Sequence, residues 1–114
     1  GYKRNEQSAL ARQIQADLKK LGMTQKELAA ASGMPEARVS RILRGGTVRL
    51  TEQDMNQLAL GLRKTTAERD NLRYLAWPEL YEIDKALQAH EGIVSLNCRL
   101  AEKGFPLLGN DYQE

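Results

Sequence analysis

The sequence has too few cysteine and histidine residues for a disulfide framework or a closed zinc site. It contains one cysteine, Cys98, and one histidine, His90, among 114 residues. A single cysteine cannot form an internal disulfide, and the two side chains cannot supply the four ligands of a structural zinc ion. We therefore expect no metal and no cofactor, and a reducing cytoplasm as the location.

Long apolar runs and groupings of catalytic residues are missing as well. No apolar stretch approaches the ~20 residues that span a bilayer, and the N-terminus lacks the apolar core of a secretory signal peptide. His90 has no nucleophile or metal ligand at a spacing that indicates catalysis. These absences predict a protein that is neither an enzyme nor bound to a membrane.

Charged residues are distributed unevenly along the chain. Hydrophobic residues make up 41% and charged residues 28% of the sequence, an ordinary composition for a soluble domain. Residues 1–49 contain ten Lys or Arg and four Asp or Glu, a net charge of +6, whereas residues 50–114 contain seven and eleven, a net charge of −4. The basic half is the candidate for binding phosphate, with chance as the alternative on a chain this short.

Apolar residues at helical spacing predict helices along most of the chain, and no stretch shows the alternation of a strand. Threonine–acid pairs three residues apart and glycines mark the expected helix ends. The predicted helices are Ser8–Leu21, a second between Thr24 and Gly33, Pro35–Arg44, a fourth capped by Thr51 and Asp54, a fifth from Thr65 through Ala76, a sixth beginning near Pro78, and a seventh from Gly92 toward Lys103.

Residues 24–45 have the organisation of a helix-turn-helix. Two short helices meet at Gly33, and the second turns Val39, Ile42 and Leu43 to one side. The stretch Thr24–Ala29, Gly33, Val39–Ile42 and Gly45, followed by a capped helix, resembles the Cro/C1-type helix-turn-helix family of phage repressors and bacterial regulators. The resemblance covers about Leu10 to Leu75. It implies an all-α, five-helix lambda-repressor-like domain, here with a helical C-terminal extension, that binds double-stranded DNA.

The resemblance also implies which residues contact DNA. The family places base contacts near the start of the third helix, and other contacts hold the DNA backbone. The base-contact candidates are Glu36, Ala37 and Arg41, with Arg38 and Ser40 beside them; the backbone-contact candidates are Gln25, Lys26, Arg44, Thr47 and Arg49. The alternative for Arg41 and Arg44 is a solvated helix face, and for Glu36 it is stabilisation of the helix N-terminus.

Two residues depart from the family pattern. Pro35 occupies a position where the family usually has a serine or threonine cap, and Ser32 one where a small apolar residue is common. Neither is expected to prevent folding, but the entry of the third helix is less well specified.

The chain is expected to divide into a DNA-binding domain, residues 1–76, and a helical extension, residues 77–114. The extension either packs onto the first five helices, links to further domains, or presents its apolar residues to a partner. The apolar residues that could face a partner are Leu80, Ile83, Leu87, Val94, Leu96 and Leu100. We favour a homodimer through residues 77–108. The 37 residues after Trp77 are too few for the peptidase domain of many family repressors, so we expect no self-cleavage.

The sequence therefore predicts a DNA-binding regulator of transcription that acts as a repressor in the cytoplasm, on the nucleoid. Its third helix would read the major groove. The alternative is an antitoxin whose tail binds a toxin protein. A toxin would bind tightly and change the affinity for DNA, whereas a simple repressor needs no such partner.

Overall fold

The ends of the helices are determined by short polar and glycine sequences. The structure is a computed structural model that describes residues 8–45 and 48–109. These ranges contain α-helices and no β-strand, so the predicted all-α fold class is confirmed. The helices are α1 Ala9–Leu21, α2 Gln25–Ser32, α3 Glu36–Leu43, α4 Glu52–Gly61, α5 Thr66–Ala76, α6 Glu79–Gln88 and α7 Ile93–Lys103. None of them is long and apolar enough to cross a membrane.

Three helices begin with the predicted threonine–acid pair. In each pair the threonine hydroxyl accepts a hydrogen bond from the acid's backbone N–H, and the carboxylate accepts one from the threonine N–H. The pairs are Thr24–Glu27 before α2, Thr51–Asp54 before α4 and Thr65–Glu68 before α5. The helix α3 differs, because its N-cap is Pro35 and no side chain caps its first amides.

The chain forms two compact units, Gly1–Ala76 and Trp77–Glu114. In the first unit α2 packs against α3 and α4, and α1 packs against α3 and α5. The apolar stripes predicted from periodicity form its core, except that Leu21, at the end of the predicted first stripe, is 43% exposed because it lies in the last turn of α1. The core residues are Leu10, Ala11, Ile14, Leu18, Leu28, Ala29, Met34, Val39, Ile42, Leu43, Met55, Leu58, Ala59, Leu62 and Leu72.

The helices α2 and α4 approach each other closely at Ser32 and Gly61, which are both buried. A Cβ atom at Gly61 would overlap the Ser32 Oγ, and it would lie 3.1 Å from the Ser32 backbone nitrogen and 3.2 Å from Cδ1 of Leu28. Ser32 is the residue that departs from the small apolar type common in the family. The absence of a side chain at Gly61 leaves room for its hydroxyl.

The second unit has its own small core between α6 and α7. Ala86, Leu96 and Leu100 are buried there, with three partly buried residues, Ile83, Phe105 and Leu108, packed against them. The segment after α7 folds back onto it, because the Asn97 side chain donates to the Leu108 carbonyl and accepts from its N–H. Of the two aromatic residues predicted for the core, Phe105 packs against it and Trp77 is half-buried.

An ion-pair network also ties α6 to α7. The Arg99 guanidinium donates to the buried Glu82 at 2.9 Å and to both carboxylate oxygens of Glu91 at 2.7 and 2.8 Å. These hydrogen bonds lower the pKa of Glu82 and lower that of Glu91 to about 2. Both carboxylates therefore stay ionised at neutral pH.

This core corrects the set of tail residues considered for a partner surface. Leu96 and Leu100 are buried within their own unit, so they are not available to another protein. Leu80 and Ile83 are partly buried. Leu87 and Val94 remain 70% and 74% exposed, and the structure adds two exposed aliphatic residues that were not in the set, Ile93 and Leu107.

Candidate nucleic-acid interface

The turn between α2 and α3 holds the two helices at a defined angle. Gly33 has φ +67°, a left-handed conformation that costs glycine little and other residues more. The N–H of Met34 donates to the Ala29 carbonyl at 3.0 Å, which completes the C-terminal turn of α2. The predicted position and role of Gly33 are confirmed.

A residue that the sequence did not indicate supports this turn. The side-chain amide of Gln57, on α4, donates to the carbonyls of Ser32 and Gly33 at 3.1 and 3.2 Å. These carbonyls have no partner within α2, since they end the helix. Because 24 or 25 residues separate Gln57 from its partners, no local sequence pattern could have found this contact.

The helix α3 is amphipathic in the predicted sense. Val39, Ile42 and Leu43 are buried, so its inner face belongs to the core. On the outer face Ser40 is half-buried, and four other side chains are exposed. These are Glu36, Ala37, Arg41 and Arg44. Four of the five base-contact candidates, Glu36, Ala37, Ser40 and Arg41, are therefore at least partly exposed. The two charged ones among them form no ion pair with the described residues.

Arg38, the fifth base-contact candidate, has its guanidinium engaged within the protein. Its Nε donates to Oδ1 of Asp54 at 3.0 Å, and its Nη2 donates to Oδ2 at 2.6 Å and to the Arg49 carbonyl at 2.9 Å. Asp54 is 5% exposed, and the hydrogen bonds from Arg38 hold the pKa of its carboxyl below the usual range. The same pairing raises the pKa of Arg38.

The backbone-contact candidates lie on α2 and on the segment that follows α3. Gln25, half-buried, and Lys26, exposed, begin α2. Arg44 is the exposed C-cap of α3, and Arg49 is exposed in the non-helical segment before α4. Thr47 lies outside the described residues, so its predicted contact has no structural counterpart here.

The exposed cations of α2, α3 and the segment after α3 have no anionic partner in the part of the chain that the structure describes. Lys26, Arg41, Arg44 and Arg49 form no ion pair with any residue in 8–45 or 48–109. Over the whole chain, residues 1–76 contain 14 Lys or Arg against 8 Asp or Glu, and residues 77–114 contain 3 against 7. The unit that contains α2 and α3 is therefore the basic one, and its unpaired cations are available to phosphate.

Comparison with models of known protein families gives a match over part of the chain. Residues 14–68 match the family model described as Helix-turn-helix, a range that begins within α1 and ends in the first turn of α5. Searches of curated proteins and of solved structures returned no match. The matched range includes every predicted DNA-contact residue.

Proposed function

We propose that this chain is a sequence-specific repressor, because residues 14–68 match the Helix-turn-helix family model and the motif resembles that of the Cro/C1-type DNA-binding regulators of transcription. The observation that supports sequence reading is the exposed face of α3, whose arginines at 41 and 44 have no partner among the described residues. Repression follows when the bound protein covers a promoter. The site of action would be the nucleoid, in the cytoplasm.

The proposed base contacts come from the exposed face of α3. A major groove admits one α-helix, and side chains on its outer face reach the base edges. Arg41 would donate two hydrogen bonds to guanine, Glu36 would accept one from the cytosine amino group, and Ala37 would contact a thymine methyl. Ser40, half-buried beside them, would make a weaker contact.

The proposed backbone contacts fix the position of α3 on the duplex. Gln25 and Lys26 lie at the N-terminus of α2, where amide groups and the helix dipole favour phosphate. Arg44 and Arg49, with Thr47 between them in sequence, would hold the strand on the other side of α3. Such contacts add affinity and register but little sequence information.

The second unit, residues 77–114, would supply a homodimer interface. A single helix-turn-helix reads a short half-site, and two copies joined on a palindrome combine their affinities. The net charge of −4 over these residues is unfavourable for DNA and suits a protein surface. The exposed large aliphatic side chains in the described part of this unit lie at Leu87, Ile93, Val94 and Leu107.

Selection of bound sequences from random double-stranded DNA tests the proposal. We expect enrichment of one sequence in two inverted copies, with centres about 10 base pairs apart or a multiple of this, since a symmetric dimer places its recognition helices one or more turns apart. A single unrepeated block would contradict the dimer. No enrichment over the starting pool would contradict sequence-specific binding itself.

Substitution of Val94 by serine is expected to weaken the dimer. Val94 is 74% exposed on α7, and its burial between two copies would remove apolar surface from water. Leu60, 75% exposed on α4 in the first unit, provides a matched control. Light scattering over a concentration series should show that the Val94→Ser dimer dissociates at a higher protein concentration than the Leu60→Ser dimer.

Other outcomes of that measurement reassign the interface. A weaker dimer in Leu60→Ser alone would place it on the first unit. A strict monomer, with and without operator DNA, would contradict homodimerisation. A second protein that binds tightly through residues 77–114 and changes DNA affinity would favour the antitoxin alternative.

A further inference from the structure

Arg38 differs from the other arginines of α3 in the surroundings of its guanidinium. Arg41 and Arg44 are exposed, whereas Arg38 is half-buried and contacts two acceptor groups. Two parallel hydrogen bonds join it to Asp54, the bidentate arrangement that makes an arginine–carboxylate pair strong and directional. A third hydrogen bond reaches the Arg49 carbonyl. Nothing in the family pattern or the local sequence indicated this role.

The Asp54 carboxylate has a second function at the same time. Its Oδ2 accepts the N–H of Thr51 at 2.8 Å, which is half of the capping box that begins α4. One carboxylate therefore holds both the start of α4 and the side chain of Arg38. Because Asp54 is almost fully buried, removal of Arg38 would leave its carboxylate charged but poorly solvated. The Thr51 N–H at the cap of α4 would still donate to that carboxylate.

Three elements meet at this pair. Arg38 lies on α3, the proposed recognition helix, and Asp54 lies in the first turn of α4. The Arg49 carbonyl belongs to the segment that is proposed to contact the DNA backbone. The segment has no helical or strand hydrogen bonds of its own at residues 48–50. Its peptide group at Arg49 is thus held by a side chain from α3.

We propose that Arg38 is a positioning residue rather than a base-contact residue. It links the recognition helix to the Arg49 segment and to α4, so that Arg41 and Arg49 meet the same stretch of duplex in a fixed relation. This inference rests on the proposed function and deepens it. It divides the residues of α3 and its C-cap into those that would contact DNA, at 36, 37, 40, 41 and 44, and one that orders them.

The two possible roles predict opposite effects for Asp54→Asn. If Arg38 orders the interface through Asp54, the substitution weakens operator binding about as much as Arg38→Gln does, although Asp54 itself is buried and has the wrong charge for DNA. If Arg38 instead contacts a base or a phosphate, Asp54→Asn releases its guanidinium and leaves operator affinity unchanged or higher.

The test measures the Kd for the selected operator and for random DNA at one salt concentration, since phosphate contacts make affinity depend on salt. The proteins are the wild type, Arg38→Gln, Asp54→Asn and the double variant. We expect each single variant to bind operator roughly 3- to 30-fold more weakly, and the double variant to be no weaker than either, since the two residues act as one unit. Additive losses, or an unchanged Kd in Asp54→Asn, would overturn the proposal.

Far-UV circular dichroism identifies a temperature at which each variant is folded. Each Kd is measured at such a temperature, so a weaker Kd does not result from unfolding. If Arg38→Gln does not fold, Arg38→Lys replaces it. The lysine ammonium retains the positive charge opposite Asp54 but not the three hydrogen bonds, so we expect a Kd between those of the wild type and the other variants. A full loss of discrimination between operator and random DNA would contradict the positioning role. If the wild type itself shows no preference for any sequence, the proposed function fails, a result distinct from failure of this inference.

Discussion

Replacement of Arg41 by alanine is expected to weaken binding to the operator by about 1–3 kcal/mol, roughly 5- to 150-fold, and to leave binding to random DNA much less changed. Arg41 is exposed on the outer face of α3 and has no ion-pair partner among the described residues, so its removal should not disturb the fold. The lost free energy would be that of the two hydrogen bonds proposed to one guanine. Fluorescence anisotropy with labelled operator and random duplexes measures both affinities.

Arg44 is the matched control for Arg41. It is also an exposed arginine of the α3 segment, but it lies at the C-cap, one turn further from the base-reading end. As a proposed phosphate contact, Arg44→Ala should weaken operator and random DNA by similar factors and lower the salt dependence by about one contact. Equal losses on both duplexes for Arg41→Ala would make it a phosphate contact too.

Replacement of Gly61 by alanine is expected to destabilise the first unit by about 1–3 kcal/mol, the usual cost of overfilling a packed core. In an exposed helix interior the same change would stabilise by ~1 kcal/mol, because glycine is a poor helix former. Here the added Cβ overlaps the Ser32 Oγ and crowds the Ser32 backbone nitrogen at 3.1 Å. The Ser32 hydroxyl can rotate away from the added Cβ, whereas the Ser32 backbone can give way only if α2 shifts against the core. Chemical denaturation monitored by circular dichroism measures the change.

A second substitution identifies the cause of that destabilisation. The Ser32 Oγ is buried and has no hydrogen-bond partner in the described part of the chain. Ser32→Ala alone should therefore be neutral or stabilise by up to about 1 kcal/mol, because it removes an unsatisfied polar group. Combined with Gly61→Ala, it should recover part of the lost stability. No recovery would mean that the backbone contact alone is responsible, and stabilisation by Gly61→Ala would contradict the steric argument.

Hydrogen bonds between neighbours in sequence were the most predictable part of the structure. Thr24 and Glu27 are three residues apart, and such a pair forms its capping box whatever the rest of the chain does. The departure at Pro35 was also readable: the sequence lacks a capping hydroxyl there, and α3 begins at Glu36 without a side-chain cap. The predicted bounds of that helix, Pro35–Arg44, are wrong by one residue at each end, since both are caps.

Contacts between residues far apart in sequence could not be predicted. Arg38 and Asp54 are 16 residues apart, and the family resemblance placed Arg38 beside the base-contact candidates without indicating that its guanidinium turns toward α4. In the second unit Ile93 and Leu100 belong to the same apolar stripe by spacing. Ile93 is 49% exposed and Leu100 is buried in the core between α6 and α7, because the packing of the two helices covers only part of that stripe.

The sequence by itself determined the number and order of the helices, the turn at Gly33, the inner face of α3 and the basic character of the first unit. These follow from capping residues, apolar spacing and charge counts, which act over a few residues or need no geometry at all. Only the tertiary structure decided that Arg38 belongs to Asp54, that Gln57 supports the turn and that Gly61 must remain small. Each of these depends on two helices meeting at a particular distance and angle, and a linear pattern of residues does not contain that information.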